Sequence, residues 1–307
     1  MVGQMTEINP YHQGELEVQK LAGVQAIASR VSRLIQNSLP IKALDYIRQQ
    51  PMIWIGIEDE NRDLWAFPLF GPPGFIQSER GEQIEINLKS NFCIPDQWHR
   101  NFKPGKFIGC LVIDLAARIR LRINGIIEKI SDKKIWVNVQ QAYENCPKYI
   151  RKRTIKEQSE YCTFQFISAG GTLTEQLIDM MNQSDTAFVA SRGPDGADVS
   201  HRGGMRGFIR YHLPNKILIP DYKGNSMFNT LGNFMENPLG GLTIADFNQG
   251  YFLQLSGTVK ILFDNNYSQI DTGGTSRFWE LEIHQWKLFR LQSSFKWESH
   301  DFSPFNP

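Results

Sequence analysis

The sequence predicts a mainly β protein, in which two antiparallel barrels follow one another with helices at their flanks. Short strand-like segments succeed each other across turn residues, without the crossover helix that a parallel sheet needs. A set of residues recurs in the same order after about 132 positions, which indicates a repeated unit. The composition of 41% hydrophobic and 21% charged residues is typical of packed cores rather than disorder.

Helical spacing characterises the N-terminal part of the chain. Apolar residues predict one helix over Glu15–Asn37, which ends before Pro40, and a second over Ile41–Gln49. His12 and Glu15 are interpreted as capping and packing groups, and contact with a ligand is the alternative. We therefore expect residues 1–40 to form a helical extension.

Strand periodicity follows. Turn residues such as Gly71–Gly74 separate the segments, and the two that flank Asp114–Arg118 predict a hairpin. The predicted strands are Met52–Ile57, Leu64–Phe70, Ile84–Leu88, Phe107–Ile113, Ile119–Ile130 and Ile135–Val139. Many short strands joined by turns favour an antiparallel barrel, placed at residues 41–158.

The segment Tyr143–Glu160 is rich in basic residues, namely Lys148, Arg151, Lys152, Arg153 and Lys156. One interpretation is a patch for a phosphate or an acidic partner. The favoured one is a solvated helix and linker, since the net charge of the whole chain is only +1.

The pattern of the first half then returns. A helix is expected over Thr174–Gln183, a strand over Thr186–Ser191 and a turn at Gly193–Gly196. Gly74-Phe75-Ile76 recurs as Gly207-Phe208-Ile209, and Gly109, Asp114, Leu121 and Gly125 recur as Gly241, Asp246, Leu253 and Gly257. These matches predict an internal duplication, with a second barrel at residues 159–307; chance matching of common residues is the alternative.

The stretch Asp198–Phe247 has the pattern strand, turn, strand, loop, helix, strand. In its loop, Lys223 supplies a cation and Gly224 permits close approach of the backbone to a ligand. Neutral donors near the start of the following helix are Asn225, Ser226 and Thr230. Because a helix N-terminus favours anions, the loop is a candidate phosphate cradle. An ordinary turn is the alternative.

Several motifs carry a family resemblance. They are Ser200–Gly204 with Gly207–Phe208, Ile219–Asn225, and Leu231–Asn233 with Glu236–Pro238. They resemble the FMN-binding split-barrel family, the pyridoxamine 5'-phosphate oxidase-related flavoproteins. Further segments resemble a two-barrel branch of it, namely Tyr11–Glu15, Trp65–Ile76, Gln141–Tyr143 and Asn145–Ile150. The resemblance implies tandem antiparallel Greek-key split barrels with FMN as cofactor.

The resemblance also implies a site. Lys223 would hold the FMN phosphate with support from Tyr222 and Asn225, while the strand of Ser200 and Arg202 would lie along the flavin. The predicted cofactor-binding residues are Ser200, His201, Arg202, Gly203, Asp221, Tyr222, Lys223 and Asn225. Backbone groups near Gly203-Gly204 would approach the flavin ring. His201 is a weak candidate for acid–base catalysis, and a structural hydrogen bond is favoured. No metal site is predicted.

The two copies differ at this site. The first has Pro68 and Phe70 where the second has His201 and Gly203, and its segment Asn87–Pro95 holds Lys89 but no glycine. The second copy is therefore the expected phosphate binder, and the first completes the site. Family members bind FMN between the barrels of a homodimer, so an internal pseudo-dimer is predicted here, with a homodimer as the alternative.

Two further groups are candidates for the site. Arg118, Arg120 and Arg122 alternate along one strand, so its basic face would meet an anion or simply face solvent. Near the C-terminus, Trp297, His300 and Ser303–Pro307 resemble a closing segment that caps the flavin. An aromatic tail packed on a barrel is the plainer alternative.

The predicted function is oxidoreduction by an FMN flavoprotein, acting on an unidentified small-molecule substrate or electron donor. The basic substrate-phosphate cluster of pyridoxamine 5'-phosphate oxidases is missing, and Arg290 and Lys296 lack the spacing of their C-terminal Arg and His pair. Oxidation of vitamin B6 is therefore not expected. The alternative is a non-catalytic flavin or haem binding or storage protein, with His201, His212 and His284 as candidate haem ligands.

Composition limits the partners and the location. Balanced charge argues against a nucleic-acid binder, and no apolar run approaches the roughly 18 residues of a membrane span. The polar start at Met1–Pro10 predicts a cytoplasmic protein. Four cysteines without Cys-x-x-Cys spacing favour reduced thiols. Among them, Cys146 is either a reactive thiol or an incidental half-buried residue.

Overall fold

A computed structural model describes residues 9–88, 92–131, 133–157, 162–212, 214–263, 270–293 and 295–307. The helices are α1 (Gln13–Leu21), α2 (Gln25–Val31), α3 (Ile41–Gln49), α4 (Asp96–His99), α5 (Glu175–Gln183) and α6 (Asn229–Glu236), with a 3₁₀ turn at Ser32–Leu34. Among the described residues, no helix combines the length and the apolar composition needed to cross a membrane.

Eighteen strands make up most of the other residues that the structure describes. Those of the first half are β1 (Met52–Glu58), β2 (Leu64–Phe70), β3 (Ile76–Gln77), β4 (Gln83–Asn87), β5 (Phe92–Cys93), β6 (Phe107–Asp114), β7 (Ile119–Ser131), β8 (Lys134–Asn145) and β9 (Arg153–Glu157). Those of the second half are β10 (Cys162–Gly170), β11 (Thr186–Gly193), β12 (Gly196–Gly203), β13 (Arg210–His212), β14 (Lys216–Pro220), β15 (Leu239–Asp246), β16 (Tyr251–Leu262), β17 (Phe278–Ser293) and β18 (Lys296–Ser299).

The strands form two main sheets, which we call the first and second barrels. The first has the order β2-β1-β6-β7-β8-β4-β3. The second has the matching order β12-β11-β15-β16-β17-β14-β13, with β10 and then β5 added beside β17. All pairs are antiparallel except β5 with β10. The predicted mainly β fold with tandem split barrels and flanking helices is confirmed; duplication as the origin of the shared order stays a prediction.

The barrels pack face to face through equivalent residues. Trp54 pairs with Pro68, and Phe188 pairs in the same way with His201. The rings of Trp54 and Phe188 stack across the interface, with centroids 3.5 Å apart. Two glycines permit the backbones to meet. A Cβ at Gly109 would lie 2.6 Å from the Asp198 backbone, and one at Gly241 would lie 2.2 Å from the Leu64 carbonyl oxygen. These reciprocal contacts describe a pseudo-two-fold arrangement.

The long N-terminal helix predicted over Glu15–Asn37 is wrong. The chain leaves the helix after Leu21, Gly23 adopts a φ of 67°, and α2 begins at Gln25. Apolar spacing continues across the break, but the left-handed glycine redirects the backbone. The second helix, Ile41–Gln49, is confirmed.

Helix α1 lies on the second barrel, whereas α3 packs its residues Ala43 and Ile47 into the core of the first. Helix α1 packs closely on α6, since a Cβ at Gly14 would meet the Gly232 carbonyl oxygen at 2.3 Å. The predicted domain limits stay a prediction. Four features of the sequence analysis lie wholly or partly outside the described residues, namely Lys89, the boundary at 158/159, most of Met1–Pro10 and the end of Tyr143–Glu160.

The favoured reading of Tyr143–Glu160 as a solvated helix is wrong for its described part, 143–157. Strand β8 continues to Asn145, and β9 pairs with β18. Arg151 and Arg153 both form ion pairs with the buried carboxylate of Asp185. These two ion pairs thus anchor the start of β9 to the second barrel.

Candidate functional site

A cavity of about 390 Å³ lies where the two barrels meet. The first barrel contributes β7 and the segment after β8, and the second contributes β12 and the β14–α6 loop. Ala22 and Val24, between α1 and α2, also line it. All eight predicted cofactor-binding residues line this one cavity: Ser200, His201, Arg202, Gly203, Asp221, Tyr222, Lys223 and Asn225. Their proximity follows from the fold, while their role toward a cofactor stays a prediction.

Arg122 connects the two barrels at the base of the cavity. Its Nε lies 2.8 Å from Oδ1 of Asp198, and both side chains are buried. It also donates to the Tyr143 hydroxyl at 2.8 Å and to Ser200. Burial is the largest single influence and lowers the pKa of the Arg122 guanidinium, but Asp198, Tyr143 and Glu15 together raise that pKa above its ordinary value. The pair is therefore a fixed ionic link between barrels.

Arg120 lies two residues away on the same strand. Its Nη1 is 3.3 Å from Nδ1 of His201, and other guanidinium nitrogens donate to the carbonyl oxygens of Cys146 and Lys148. No carboxylate pairs with it among the described residues. Burial lowers its pKa to about 10, so the guanidinium still carries its charge at neutral pH.

Asp221 organises a second cationic group. Its two carboxylate oxygens bind Nη1 of Arg202 at 2.9 Å and Nε of Arg277 at 3.1 Å. Its backbone is fixed as well, because Thr275 donates to its carbonyl oxygen at 2.7 Å. One carboxylate thus serves two guanidinium groups, and the trio retains a net positive charge. Asp221 is placed to hold these arginines rather than to contact an anion.

The β14–α6 loop carries the predicted cradle. Lys223 is exposed and has no ion-pair partner among the described residues, so its ammonium group is available to a ligand. A Cβ added at Gly224 would meet nothing within 4 Å, which leaves open space beside the backbone. The Tyr149 hydroxyl donates to the Lys223 carbonyl oxygen at 3.0 Å, and its ring lies 4.9 Å from that of Tyr222.

The approach to helix α6 contains unusual backbone geometry. Ser226 and Phe228 are both in the left-handed region, with φ of 66° and 63°. Such conformations cost energy in non-glycine residues and cluster at functional sites. They bring the first turn of α6 to the cavity, where Thr230 lies 2.9 Å from the Ser200 hydroxyl. The start of this eight-residue helix therefore faces the cationic space.

Some predicted contributors lie elsewhere. Arg118 is not on the cavity wall; it donates to the carbonyl oxygens of Ile150, Asp301 and Phe302. The C-terminal segment does not cap the cavity. Its residue Ser303 instead accepts a hydrogen bond from the backbone of Tyr149 at 2.9 Å, behind the cavity wall. The tail thus supports the wall from outside, as the plainer alternative held.

The glycine pair Gly203-Gly204 lies close to its own chain. A Cβ at Gly203 would lie 2.0 Å from the Tyr149 carbonyl oxygen, and one at Gly204 would lie 2.7 Å from Phe208. Packing therefore requires both glycines. Gly203 also lines the cavity, and the approach of its backbone to a flavin ring stays a prediction.

Several lining residues escaped the sequence analysis as site residues, namely Asn145, Tyr149, Phe228, Asn229 and Arg277. Arg277 follows the pair Gly273-Gly274 just before β17, and that combination of glycines with an arginine was an available signal. Asp198, the partner of Arg122, shares a strand face with Ser200 and Arg202, because side chains on a strand repeat with a period of two. That spacing was an available signal for Asp198 as well. Tyr149 and Asn229 carried no such signal, because only long-range packing brings them here.

The equivalent space on the other side of the pseudo-two-fold axis is filled. We call its residues the aromatic plug; they are Phe67, Phe70, Trp98, Phe164, Phe252 and Phe289. Phe67 stacks on Trp98 with ring centroids 4.5 Å apart, and Trp98 donates to the Gln254 side chain at 3.2 Å. The space that remains beside the plug is only about 10 Å³.

Comparisons with known proteins add little beyond the general fold. Neither a family model nor a curated protein matches the sequence. A FAD-binding protein from Mesorhizobium loti is 12% identical, with 43% of this chain and 99% of that chain covered and a TM-score of 0.32. HupZ of Group A Streptococcus is also 12% identical, with 42% and 99% covered and a TM-score of 0.30.

A third solved structure comes from Clostridium acetobutylicum. It is described as related to general stress protein 26, of the pyridoxinephosphate oxidase family, and is 14% identical. The alignment covers 42% of this chain and 96% of that chain, with a TM-score of 0.27. Each of the three similarities spans less than half of this chain at a low TM-score, so none supports an inference about ligand or reaction.

Proposed function

We propose that this chain binds FMN in the cavity between its barrels and uses it to oxidise or reduce a small molecule. The observation that carries the proposal is the charge of the lining. Five cationic side chains line the cavity: Arg120, Arg122, Arg202, Lys223 and Arg277. The only carboxylates that pair with them among the described residues are Asp198 and Asp221, so five positive and two negative charges leave three positive ones. An anionic ligand fits such a site.

The shape and chemistry of the lining fit a flavin nucleotide. The volume of about 390 Å³ lies within the roughly 300–1,000 Å³ typical of ligand pockets. Tyr222 and Phe228 supply aromatic surface. Besides Nε of Arg122, which faces the Asp198 carboxylate, three buried polar atoms of lining residues have no hydrogen-bond partner among the described residues: Nε2 of His201, Nε of Arg202 and Nδ2 of Asn145. Buried donors of this kind are normally satisfied, which favours a polar ligand beside them.

Roles follow from these positions. Lys223, together with the first turn of α6, would bind the phosphate as a point charge and a set of donors. Asp221 would keep Arg202 and Arg277 oriented toward the same anion. When bound, the flavin itself supplies the electron- and hydride-transfer chemistry. Because both halves of the cavity come from one chain, we also propose an internal pseudo-dimer as the functional unit.

The first experiment is an absorption spectrum of the purified protein, with chromatography of any released cofactor. A two-banded flavin spectrum with released FMN is expected. For Lys223→Ala we expect about tenfold weaker FMN binding with little change for riboflavin, since only FMN carries the phosphate. Lys103→Ala removes the same charge from an exposed pair with Glu60 and serves as the control. A colourless protein that takes up no added FMN would refute the proposal.

The second candidate is non-catalytic storage of a flavin or haem. Rapid reduction of bound flavin by NAD(P)H, followed by turnover with an acceptor, excludes storage of flavin. Histidine ligation of haem is disfavoured because Arg120 donates to Nδ1 of His201, which leaves the ring proton, and no free lone pair, on Nε2. His212 pairs with Glu280 and His284 bonds with Thr258, and neither lines the cavity.

A further inference from the structure

The hydrogen bond between Arg120 and His201 determines where the imidazole carries its proton. A guanidinium N–H can only donate, so Nδ1 of His201, 3.3 Å from Nη1 of Arg120, must accept. In a neutral ring the proton then resides on Nε2. That Nε2 atom is buried and has no hydrogen-bond partner in the part of the chain that the structure describes. His201 therefore holds an unused N–H donor among residues that line the cavity.

The surroundings of His201 keep the ring neutral. The residue is 5% exposed, and burial is the main cause that lowers its pKa well below the usual value. The nearby charged groups are the cations Arg120, Arg153 and Arg202, which act in the same direction. On its other side the ring meets the edge of Phe188, with centroids 5.4 Å apart. A carboxylate that would stabilise an imidazolium is absent from the contacts described for this ring.

Arg120 is itself held in place by the chain. Its Nε donates to the Cys146 carbonyl oxygen at 3.1 Å, and Nη2 donates to the Lys148 carbonyl oxygen at 3.4 Å. Nη1 lies 3.4 Å from the carbonyl oxygen of His201 as well as 3.3 Å from its ring. Because every nitrogen of the guanidinium already has an acceptor, Arg120 acts on a ligand through its charge and through His201.

We propose that Arg120 is a positioning residue that holds His201 as a neutral imidazole, and that His201 donates its Nε2–H to an electron-rich oxygen or nitrogen of the ligand. The identity of that ligand rests on the proposed function, in which the acceptor belongs to FMN. His201 is then a fixed donor rather than the acid–base group considered from the sequence. A donor near the flavin ring tunes its electronics without exchanging a proton.

Nitrogen NMR of the ligand-free protein tests the pairing independently of any cofactor. The His201 ring is assigned by the signal lost in His201→Gln. We expect the Nε2–H tautomer with no titration between about pH 5 and pH 8. Arg120→Gln should restore titration or mix the tautomers, whereas Arg118→Gln, an equal charge change outside the cavity, should leave the signal unchanged. An Nδ1–H tautomer or an ordinary titration in the wild type overturns the proposal.

Addition of FMN tests the donation. At saturation the Nε2–H resonance of His201 should shift. His201→Gln keeps an amide donor and should bind FMN within about twofold of the wild type, while His201→Leu should bind roughly tenfold more weakly. Circular dichroism confirms that each variant is folded.

The outcomes separate the two proposals. An unchanged His201 resonance at FMN saturation, or wild-type affinity in His201→Leu, overturns the donor role and leaves the proposed function intact. Failure of the wild-type protein to take up FMN at all refutes the proposed function, and the FMN donor role falls with it. The ligand-free spectra still decide whether Arg120 fixes the His201 tautomer.

Discussion

The open cavity and the aromatic plug occupy equivalent positions in one fold, yet one is polar and the other is filled. On the open side Arg122 of β7 pairs with Leu111, and on the filled side Gln254 of β16 pairs in the same register with Thr243. The numbering offset is 132 in both strands. Identical strand pairing therefore supports either a charged, hollow site or a solid hydrophobic contact.

Side-chain size accounts for most of the difference. The strand positions that carry Ser200 and His201 on β12 carry Phe67 and Pro68 on β2, in the same register. The following helices differ as well. Helix α4 follows β4, with the short strand β5 between them, and α6 follows the equivalent strand β14, but α4 places Trp98 in the core. Aromatic residues have thus closed one of two equivalent sites, and we expect one bound flavin per chain.

Trp98→Ala tests the filled side and has the largest expected effect. Trp98 is 2% exposed, so its removal should lower the free energy of unfolding by about 4 kcal/mol, measured by urea denaturation. Added indole should restore part of the loss by filling the dry apolar space. The ratio of flavin to chain should not rise, because none of the described residues that line this space is cationic.

The control for this variant is Ile41→Ala, where the side chain is 86% exposed and the change should stay within about 0.5 kcal/mol. A second equivalent of FMN bound by Trp98→Ala would show that size alone, and not charge, distinguishes the two sides.

Arg122→Gln places on the open side the residue type that the filled side has at the equivalent position, Gln254. It leaves Asp198, which is 1% exposed, without its cation, and stability should fall by about 3 kcal/mol in a thermal or urea melt. Asp198→Asn added to this variant should recover at least half of the loss, because no unpaired charge then remains buried. If the double variant instead loses as much stability as the sum of the losses in Arg122→Gln and Asp198→Asn alone, the ion pair is not what links the barrels.

A pH effect confined to the open side is the smallest one expected. Burial raises the pKa of Glu15 to about 7, although it accepts hydrogen bonds from His12 and Asn229. In the unfolded chain its pKa is about 4.3. The folded protein therefore binds the extra proton, and this stabilisation is present below about pH 4.3 and is lost as pH rises through 7.

Glu15→Gln removes this dependence. Between pH 5 and pH 7.5, the decline in stability with rising pH should be flatter in the variant by on the order of 1–2 kcal/mol. Melting curves at several pH values measure it. Glu17→Gln, on the same helix, is the control and should melt in parallel with the wild type. A wild-type profile without any decline would place the Glu15 carboxylate in contact with water.

Local patterns in the sequence were sufficient for the mainly β class and for most strands, although they failed for the helices predicted over Glu15–Asn37 and Tyr143–Glu160. The alternation of apolar residues placed most strands within a few residues, because a strand that buries one face must repeat with a period of two. The recurrence of Gly109 and Leu121 as Gly241 and Leu253 foretold two sheets of the same order. The loop around Lys223 indicated the cavity, because the charge of a lysine and the open backbone of a glycine can be read from the sequence without knowing the fold.

Only the tertiary structure decided how those residues are used. The sequence offered three alternating arginines as equals, but packing buried Arg120 and Arg122 at the barrel interface and sent Arg118 to the C-terminal tail. It also brought Arg277 to Asp221 and the Tyr149 hydroxyl to the Lys223 backbone. Such contacts join residues far apart in the chain, so no local pattern encodes them. The burial of each group and the residue that it contacts, rather than its residue type alone, then determine its pKa and where it carries a proton.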